Sequence, residues 1–328
     1  MSDIELIKKE VEEIHPKIVA LTTEIKKKIV GQERMINRVL ISLFSNGHVL
    51  LEGVPGLAKS TLVETMAKAL GVSFNRIQFT PDLLPSDIIG TMIYDPKTLE
   101  FMTKKGPVFT NVLLADEINR SPSKVQAALL ESMQERQVSL GDTTHKLDKP
   151  FLVLATQNPL EQEGTYQLPE AQLDRFIMKI ILDYPSKEEE RKIIKLVDSM
   201  DDININAVFN AEDIIKTQGI AKDIYIAEEL INYVVDIVDA TRFPSKNGLE
   251  KIANYIQCGG SPRASISLIK AARVNALLKG RAYVMPDDIK ALAHDILRHR
   301  VILTYEAEAE GVTVEEVISE ILDKVEVP

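Results

Sequence analysis

Tryptophan is absent, cysteine occurs once, and aromatic residues make up 5% of the 328 residues. One thiol cannot close an internal disulfide, and Cys258 has no Cys or His neighbour at metal-ligand spacing, so it reads as a small buried hydrophobe. The five histidines are scattered, which argues against a structural metal site. No apolar run approaches the roughly 18 residues a membrane span requires; the longest, such as 151–155, are strand-sized. The first residues, Met-Ser-Asp-Ile-Glu, are acidic and polar and do not read as a secretory signal, so a cytoplasmic protein is expected. Basic residues are outnumbered, 39 Lys and Arg against 49 Asp and Glu, for a formal net charge of −10. That balance disfavours non-specific binding to nucleic acid, although a local basic channel in an assembly stays possible.

Hydrophobic residues reach 45%, enough for ordinary cores, and the length suits two domains. Over residues 1–29, Ile4, Ile7, Val11, Ile14, Ile18, Leu21 and Ile25 recur at spacings of three and four, one stripe of a helix. Pro16 interrupts it, which predicts two helices with Pro16 in the first turn of the second. The stripe would pack on the following domain, or, being heptad-like, meet a partner in a coiled coil.

From 30 to 185, short apolar runs alternate with helical periodicity. Strands are predicted at 48–52, 73–79, 111–115, 151–155 and 177–182, and helices near 32–45, 60–70 and 122–134. Such alternation implies an α/β fold with a parallel sheet covered on both faces. Two segments interrupt it: about 90–110, with turn residues at Asp95-Pro96 and Gly106-Pro107, and about 136–150, with the hairpin signal Gly141-Asp142. From 186 to 328 the patterns are helical, opened by Ser186 as N-cap with Glu188, Glu189 and Glu190 in the first turn, so a smaller all-helical domain is expected.

The chemistry concentrates first in Gly53-Val54-Pro55-Gly56-Leu57-Ala58-Lys59-Ser60, between a predicted strand and a helix that carries Thr61. Backbone N–H groups of such a loop converge on phosphate oxygens at a helix N-terminus. Lys59 would reach the β- and γ-phosphates of ATP, and the Ser60 hydroxyl would coordinate Mg²⁺. Ala58 stands where the usual pattern has its second glycine, so an αR-like backbone is expected there. Alternatively, the stretch is a Gly/Pro turn before a lysine-bearing surface helix. Downstream, Val112–Ala115 form an apolar strand ending in Asp116 and Glu117. The aspartate can hold the Mg²⁺ shell and the glutamate can polarise an attacking water; a plain strand terminus is the bland alternative.

These motifs, with Leu-Leu-Ala-Asp-Glu-Ile-Asn-Arg (113–120), Ala-Thr-Gln-Asn-Pro (155–159) and Leu-Pro-Glu-Ala-Gln-Leu-Asp-Arg-Phe (168–176), resemble the MoxR family of AAA+ ATPases. The resemblance runs from about Val30 to Arg300, and Ala58 belongs to the pattern of that family. It implies an AAA+ core with a helical lid, and a ring-forming, typically hexameric, chaperone-like ATPase acting in maturation or metal-cofactor insertion of other proteins. Partners with von Willebrand factor A domains are implied as well. By resemblance, Asn158 takes the sensor-1 position, otherwise read as a turn with Pro159. Arg175 takes that of the arginine finger given to a neighbouring subunit, otherwise a surface ion pair. Gly31 and Gln32 match the stretch flanking adenine. Arg263, read from Ser261-Pro262 as lying in the first turn of a helix, matches the sensor-2 arginine; a carboxylate partner is the alternative. The segments near 90–110 and 136–150 resemble the helix-2 insert and the pre-sensor-1 hairpin, elements that face the channel or substrate in related rings. A nucleic-acid motor and a magnesium-chelatase-like subunit are the competing functional readings.

Overall fold

Strands apolar along their whole length need cover on both faces, and helices that follow each strand supply it. The computed structural model describes residues 3–54, 56–159, 164–196 and 202–328. In chain order the elements are α1 (Asp3–Lys26), α2 (Glu33–Phe44), β1 (Val49–Glu52), α3 (Lys59–Ala69), β2 (Phe74–Gln78), α4 (Pro85–Ile89), β3 (Gly90–Asp95), β4 (Glu100–Lys105), β5 (Val112–Asp116), α5 (Ser123–Glu135), β6 (Gln137–Leu140), β7 (Thr143–Lys146), β8 (Leu152–Gln157), α6 (Glu170–Leu173) and β9 (Met178–Ile181). There follow α7 (Lys187–Leu196), α8 (Ala211–Asp223), α9 (Glu228–Arg242), α10 (Glu250–Ala253), β10 (Ile256–Cys258), α11 (Pro262–Leu278), α12 (Pro286–Leu297), β11 (Ile302–Leu303), α13 (Tyr305–Glu310) and α14 (Val314–Lys324).

All five predicted core strands are present and form one sheet in the order β2-β5-β8-β1-β9. The pairings of β2 with β5, β5 with β8 and β8 with β1 are parallel, with Ile77 opposite Ala115, Ala115 opposite Ala155, and Ala155 opposite Leu50. Val49 to Leu51, Val112 to Ala115 and Val153 to Ala155 are fully buried, as strands inside a two-sided sandwich must be. Both interrupting segments contain antiparallel hairpins, β3–β4 and β6–β7, the second turning at Gly141 and Asp142 as expected.

Close packing divides the chain into two units. One comprises Val19–Arg175 and Ile180–Ile215; the other comprises Met1–Ile18, Phe176–Lys179 and Lys216–Pro328. The sequence places a boundary after Pro185; by packing, the core unit runs on to Ile215. Residues 202–215 stay with the core, where Val208 N–H donates to Ala69 O at 2.8 Å and Asn206 N–H to Glu24 Oε1 at 2.8 Å. The start of α1 belongs to the lid unit instead, where His15 closes on Gly280: a Cβ on that glycine would lie 3.3 Å from the ring. The lid is helical apart from the short β10–β11 pair, which the helical pattern had hidden.

Two further expectations are corrected. α1 is one helix that runs through Pro16. An interior proline costs about 3 kcal/mol and leaves a carbonyl at position i−4 open. Here Pro16 and Glu12 are both on the exposed side, where water can reach that carbonyl, while Val11, Ile14, Ile18, Leu21 and Ile25 continue one buried stripe past Pro16. The stripe is thus a packing face within this chain. Cys258 is exposed, because it lies on the narrow β10 with its thiol turned to Gly259 O.

Two buried histidines set a pH limit on the fold. The His48 ring lies between the end of α5 and β8, accepting from Val153 N–H at 3.0 Å and contacting Met133 O at 3.1 Å. Burial, then the charge of Arg136, pushes it from 6.5 down to about 3. His299 in the lid is likewise held well below the ordinary range by burial and by Arg300. Both rings are neutral when folded, and unfolded ones bind protons below about 6.5. The unfolded state therefore holds more protons in this window, and stability falls as pH falls. We expect each ring to remove roughly 1.4 kcal/mol per pH unit below its unfolded pKa. Glu315 titrates below this window: burial raises it, but hydrogen bonds with His294 and Arg298 outweigh that and hold it from 4.5 down to about 2. Urea midpoints at pH 7 and pH 5 check the expectation; a pH-independent midpoint would contradict it.

Candidate nucleotide site

The phosphate loop starts where only glycine fits. A Cβ on Gly53 would lie 2.8 Å from Leu182 Cβ and 3.1 Å from its carbonyl oxygen. Gly56 takes φ +85°, a left-handed backbone that glycine adopts at little cost. Ala58 corrects the expectation of an αR-like state: it has φ 54° and ψ 26°, left-handed, and N-caps α3. That conformation costs an alanine about 1–2 kcal/mol, and it persists because Ala58 O accepts the first helical bond, from Leu62 N–H at 2.9 Å. Gln32, also left-handed with φ 52°, N-caps α2 and donates from Nε2 to Leu57 O at 3.2 Å. Pro55 lies outside the described residues.

Lys59, first residue of α3, donates from Nζ to Gly53 O at 2.6 Å. Burial lowers its pKa, opposed by the charges of Asp116, Glu117 and Glu52. Lys59 is thus electrostatically coupled to the acidic end of β5.

That end is tightly organised. Asp116 Oδ1 accepts from the Thr156 hydroxyl at 2.6 Å, and Asp116 Oδ2 accepts from Arg76 Nη2 at 2.6 Å. Thr156 Oγ1 in turn accepts from Glu117 N–H at 2.8 Å, so one hydroxyl on β8 ties both acidic residues together. Glu117 is left-handed, φ 56° and ψ 49°. Its Oε2 accepts from Gln78 Nε2 at 2.7 Å and from Arg120 Nη1 at 3.1 Å. Ala58 and Glu117, two non-glycine residues in left-handed backbone on one cavity, mark strain of the kind held at functional sites.

A single cavity of about 520 Å³ is lined by Gly53, Gly56, Leu57, Ala58, Lys59, Ser60, Thr61, Asp116, Glu117 and Asn158 from the sequence-predicted set. Asn158 is 6% exposed, and its carbonyl accepts from Asn119 Nδ2 at 3.5 Å. Arg76, Gln78, Thr156 and Ile193 also line it and were missed by sequence reasoning. Arg76 and Gln78 alternate along β2, one strand from the acids, an adjacency that only the fold supplies. Ser60 and Asp116 both line this cavity, and a hydroxyl with a carboxylate is a hard oxygen donor set that fits Mg²⁺ shared with phosphate oxygens.

A smaller cavity of about 160 Å³ is lined by Gln32, Met35, Ile181, Leu182, Tyr184 and Glu189, among others. Gly31 borders Glu189: with φ +68°, its missing Cβ would fall 2.3 Å from Glu189 Oε1. Val54 and Arg175 do not line the phosphate-loop cavity. Arg175 follows α6, its N–H donating to Gln172 O at 3.2 Å. Arg263 belongs to the lid unit, where its N–H donates to Ser261 Oγ at 3.2 Å in the first turn of α11, the placement expected.

Thr156→Val keeps shape but removes the hydroxyl, leaving Glu117 N–H and Asp116 Oδ1 short of a partner. The expected destabilisation is about 1–3 kcal/mol, measured by chemical denaturation. A stability equal to that of the unsubstituted chain would show that this bridge carries no weight.

Sequence and structure comparisons agree with the geometry. Residues 48–178 match the model of the ATPase family associated with various cellular activities (AAA), and residues 250–321 match the AAA lid domain. The chain is 51% identical over 305 residues to the chaperone MoxR1 of Mycobacterium tuberculosis, covering 93% of this chain and 81% of that one. It is 34% identical to protein MoxR of Paracoccus denitrificans, covering 84% and 86% respectively. A solved crystal structure from Cytophaga hutchinsonii superposes with a TM-score of 0.94 at 51% identity over the whole of both chains. With a five-stranded AAA+ sheet, a helical lid and these relatives, the chain belongs to the MoxR family of AAA+ ATPases.

Proposed function

We propose that this chain hydrolyses Mg²⁺-ATP at a site shared between subunits of a cytoplasmic, hexameric ring, and uses the cycle to remodel client proteins. The observation that carries the reading is the single cavity in which Lys59 and Ser60 face Asp116 and Glu117. Lys59 and the loop N–H groups bind the β- and γ-phosphates, and Glu117 orients and deprotonates the attacking water. Ser60 and Asp116 hold Mg²⁺, which, when bound, neutralises charge on the phosphate oxygens. Asn158 sits between these groups as the γ-phosphate sensor. The base lies along Gly31 and Gln32. Arg175 of a neighbour stabilises the charge of the transferred phosphoryl group, in keeping with its place outside the cavity of its own chain. Arg263 takes the sensor-2 role by family resemblance.

A protein client is supported by the β3–β4 hairpin. Ile93, Tyr94, Phe101 and Met102 are 42%, 47%, 67% and 53% exposed, and the Tyr94 and Phe101 rings meet at 5.4 Å. An apolar, two-faced hairpin suits polypeptide better than a phosphate backbone, and the net charge of −10 points the same way. Clients with von Willebrand factor A domains, and maturation by metal-cofactor insertion, belong to this reading by family resemblance.

Lys59→Ala is expected to lose ATP binding, whereas Glu117→Gln binds ATP and does not turn it over. Arg175→Ala keeps binding and loses about 10³–10⁵ in turnover. Equilibrium binding of a fluorescent ATP analogue, together with steady-state phosphate release, separates these outcomes; unaltered turnover in Arg175→Ala sinks the shared site. Paired Phe101→Ser and Met102→Ser substitutions are expected to leave basal turnover intact and abolish client retention by Glu117→Gln rings. Retention undiminished in that variant would remove the hairpin from the client surface.

A further inference from the structure

Three consecutive basic residues at the end of α12 are buried: Arg298, His299 and Arg300 are 8%, 6% and 6% exposed. Guanidinium groups are almost never so buried unless they are fully engaged. Two of them have local support. Arg298 pairs with Asp295 at 2.7 Å and Glu315 at 2.6 Å, and Arg300 Nη1 donates to Ile296 O, closing a free carbonyl at the helix C-terminus. Arg300 Nη2 also donates to Ser267 Oγ at 3.4 Å, and further donors of both arginines reach one short stretch of main chain. Arg298 Nη1 donates to Lys179 O at 2.7 Å. Arg300 reaches Phe176 O through Nη2 at 2.7 Å and Ile177 O through Nη1 at 3.1 Å. The buried, neutral His299 ring places Nε2 at 3.2 Å from Phe176 O, and since a carbonyl only accepts, that nitrogen carries the proton.

The stretch held in this way, Phe176 to Lys179, is the segment that directly follows Arg175 in the chain. It belongs to the lid unit, whereas Arg175 is the last residue of the preceding core segment. Apolar side chains would anchor a strand without burying cations, commonly at equal or better stability. Hydrogen bonds to three carbonyls instead fix the backbone in position and direction, and the planar fork of Arg300 can bridge two adjacent carbonyls as lysine cannot. A catalytic group displaced by about 1 Å can lose roughly 10²-fold in rate.

We propose that Arg298, His299 and Arg300 are positioning residues for Arg175: the lid holds the root of the finger that this subunit offers to its neighbour. The proposal rests on the shared-site reading above, and it makes the lid part of the catalytic apparatus of the adjacent subunit.

Mixed assemblies test it. Arg300→Met subunits keep an intact phosphate loop and acids but have an unanchored finger; Glu117→Gln subunits have a dead site and an anchored finger. Alone, each is expected to turn ATP over at least about ten-fold more slowly than the unsubstituted chain, with binding of a fluorescent ATP analogue retained. Mixed before assembly, they are expected to exceed the sum of their separate rates about ten-fold, because an anchored finger now meets a live site. Arg175→Ala mixed with Glu117→Gln is the reference and should recover equally. Should Arg300→Met not fold, Arg300→Lys and Arg298→Lys retain the charge and lose the fork, and the same mixing applies. A purely structural role gives a loss that mixing does not relieve. Relief of Arg175→Ala without relief of the Arg300 variants overturns the positioning role. Wild-type turnover in Arg175→Ala removes the finger, and the positioning role with it.

Discussion

The parallel register of β5, β8 and β1 is the constraint on which the site depends. Ala115 lies opposite Ala155, and Ala155 opposite Leu50, so three strands leave the sheet side by side at their carboxyl ends. A shift of one residue in either pairing would turn Asp116 or Thr156 to the other face of the sheet. Held in register, β1 runs into the phosphate loop, β5 into Asp116 and Glu117, and β8 into Thr156 and Asn158. Ligand crevices of open α/β sheets lie at such carboxyl ends, and here the fully buried interiors of the strands enforce the register.

The chemistry of the cleft is an accounting of charge in a half-closed space. Two carboxylates face one lysine, and each is also engaged from β2: Asp116 by Arg76 and Glu117 by Gln78. Arg76 Nη2 donates to Gln78 Oε1 at 2.9 Å as well, joining the two contacts into one network along β2. Thr156 completes the network from β8. Left-handed backbone at Ala58 and Glu117 sets the direction in which the loop and the acid leave their elements. The site is therefore built from backbone strain and hydrogen bonds that a stable but inert sheet would not need.

Much of this was legible in the sequence. The apolar runs of 112–115 and 151–155 revealed the strands, and the loop with Lys59 and Ser60 pointed to the residues that line the cavity, because each is a local pattern with a local cause. Ala58 was misread for an instructive reason: propensity excludes alanine from a left-handed backbone, but the loop and the first turn of α3 together over-determine it. Pro16 was misread for a related one, since a buried stripe of five residues outweighs one missing hydrogen bond that faces solvent. Arg76, Gln78 and Thr156 were not found because their meaning lies in contacts some 40 residues away. The same holds for Arg298, His299 and Arg300, which in sequence are an ordinary basic run after a helix.

The central claim is the proposed shared site, in which Arg175, which does not line the cavity of its own chain, serves a neighbouring subunit. Turnover per chain, measured across a dilution series alongside the mass of the particles present, tests this most directly. The account predicts that turnover per chain falls with the oligomer fraction and vanishes in the monomer. Full turnover by monomeric protein would contradict it.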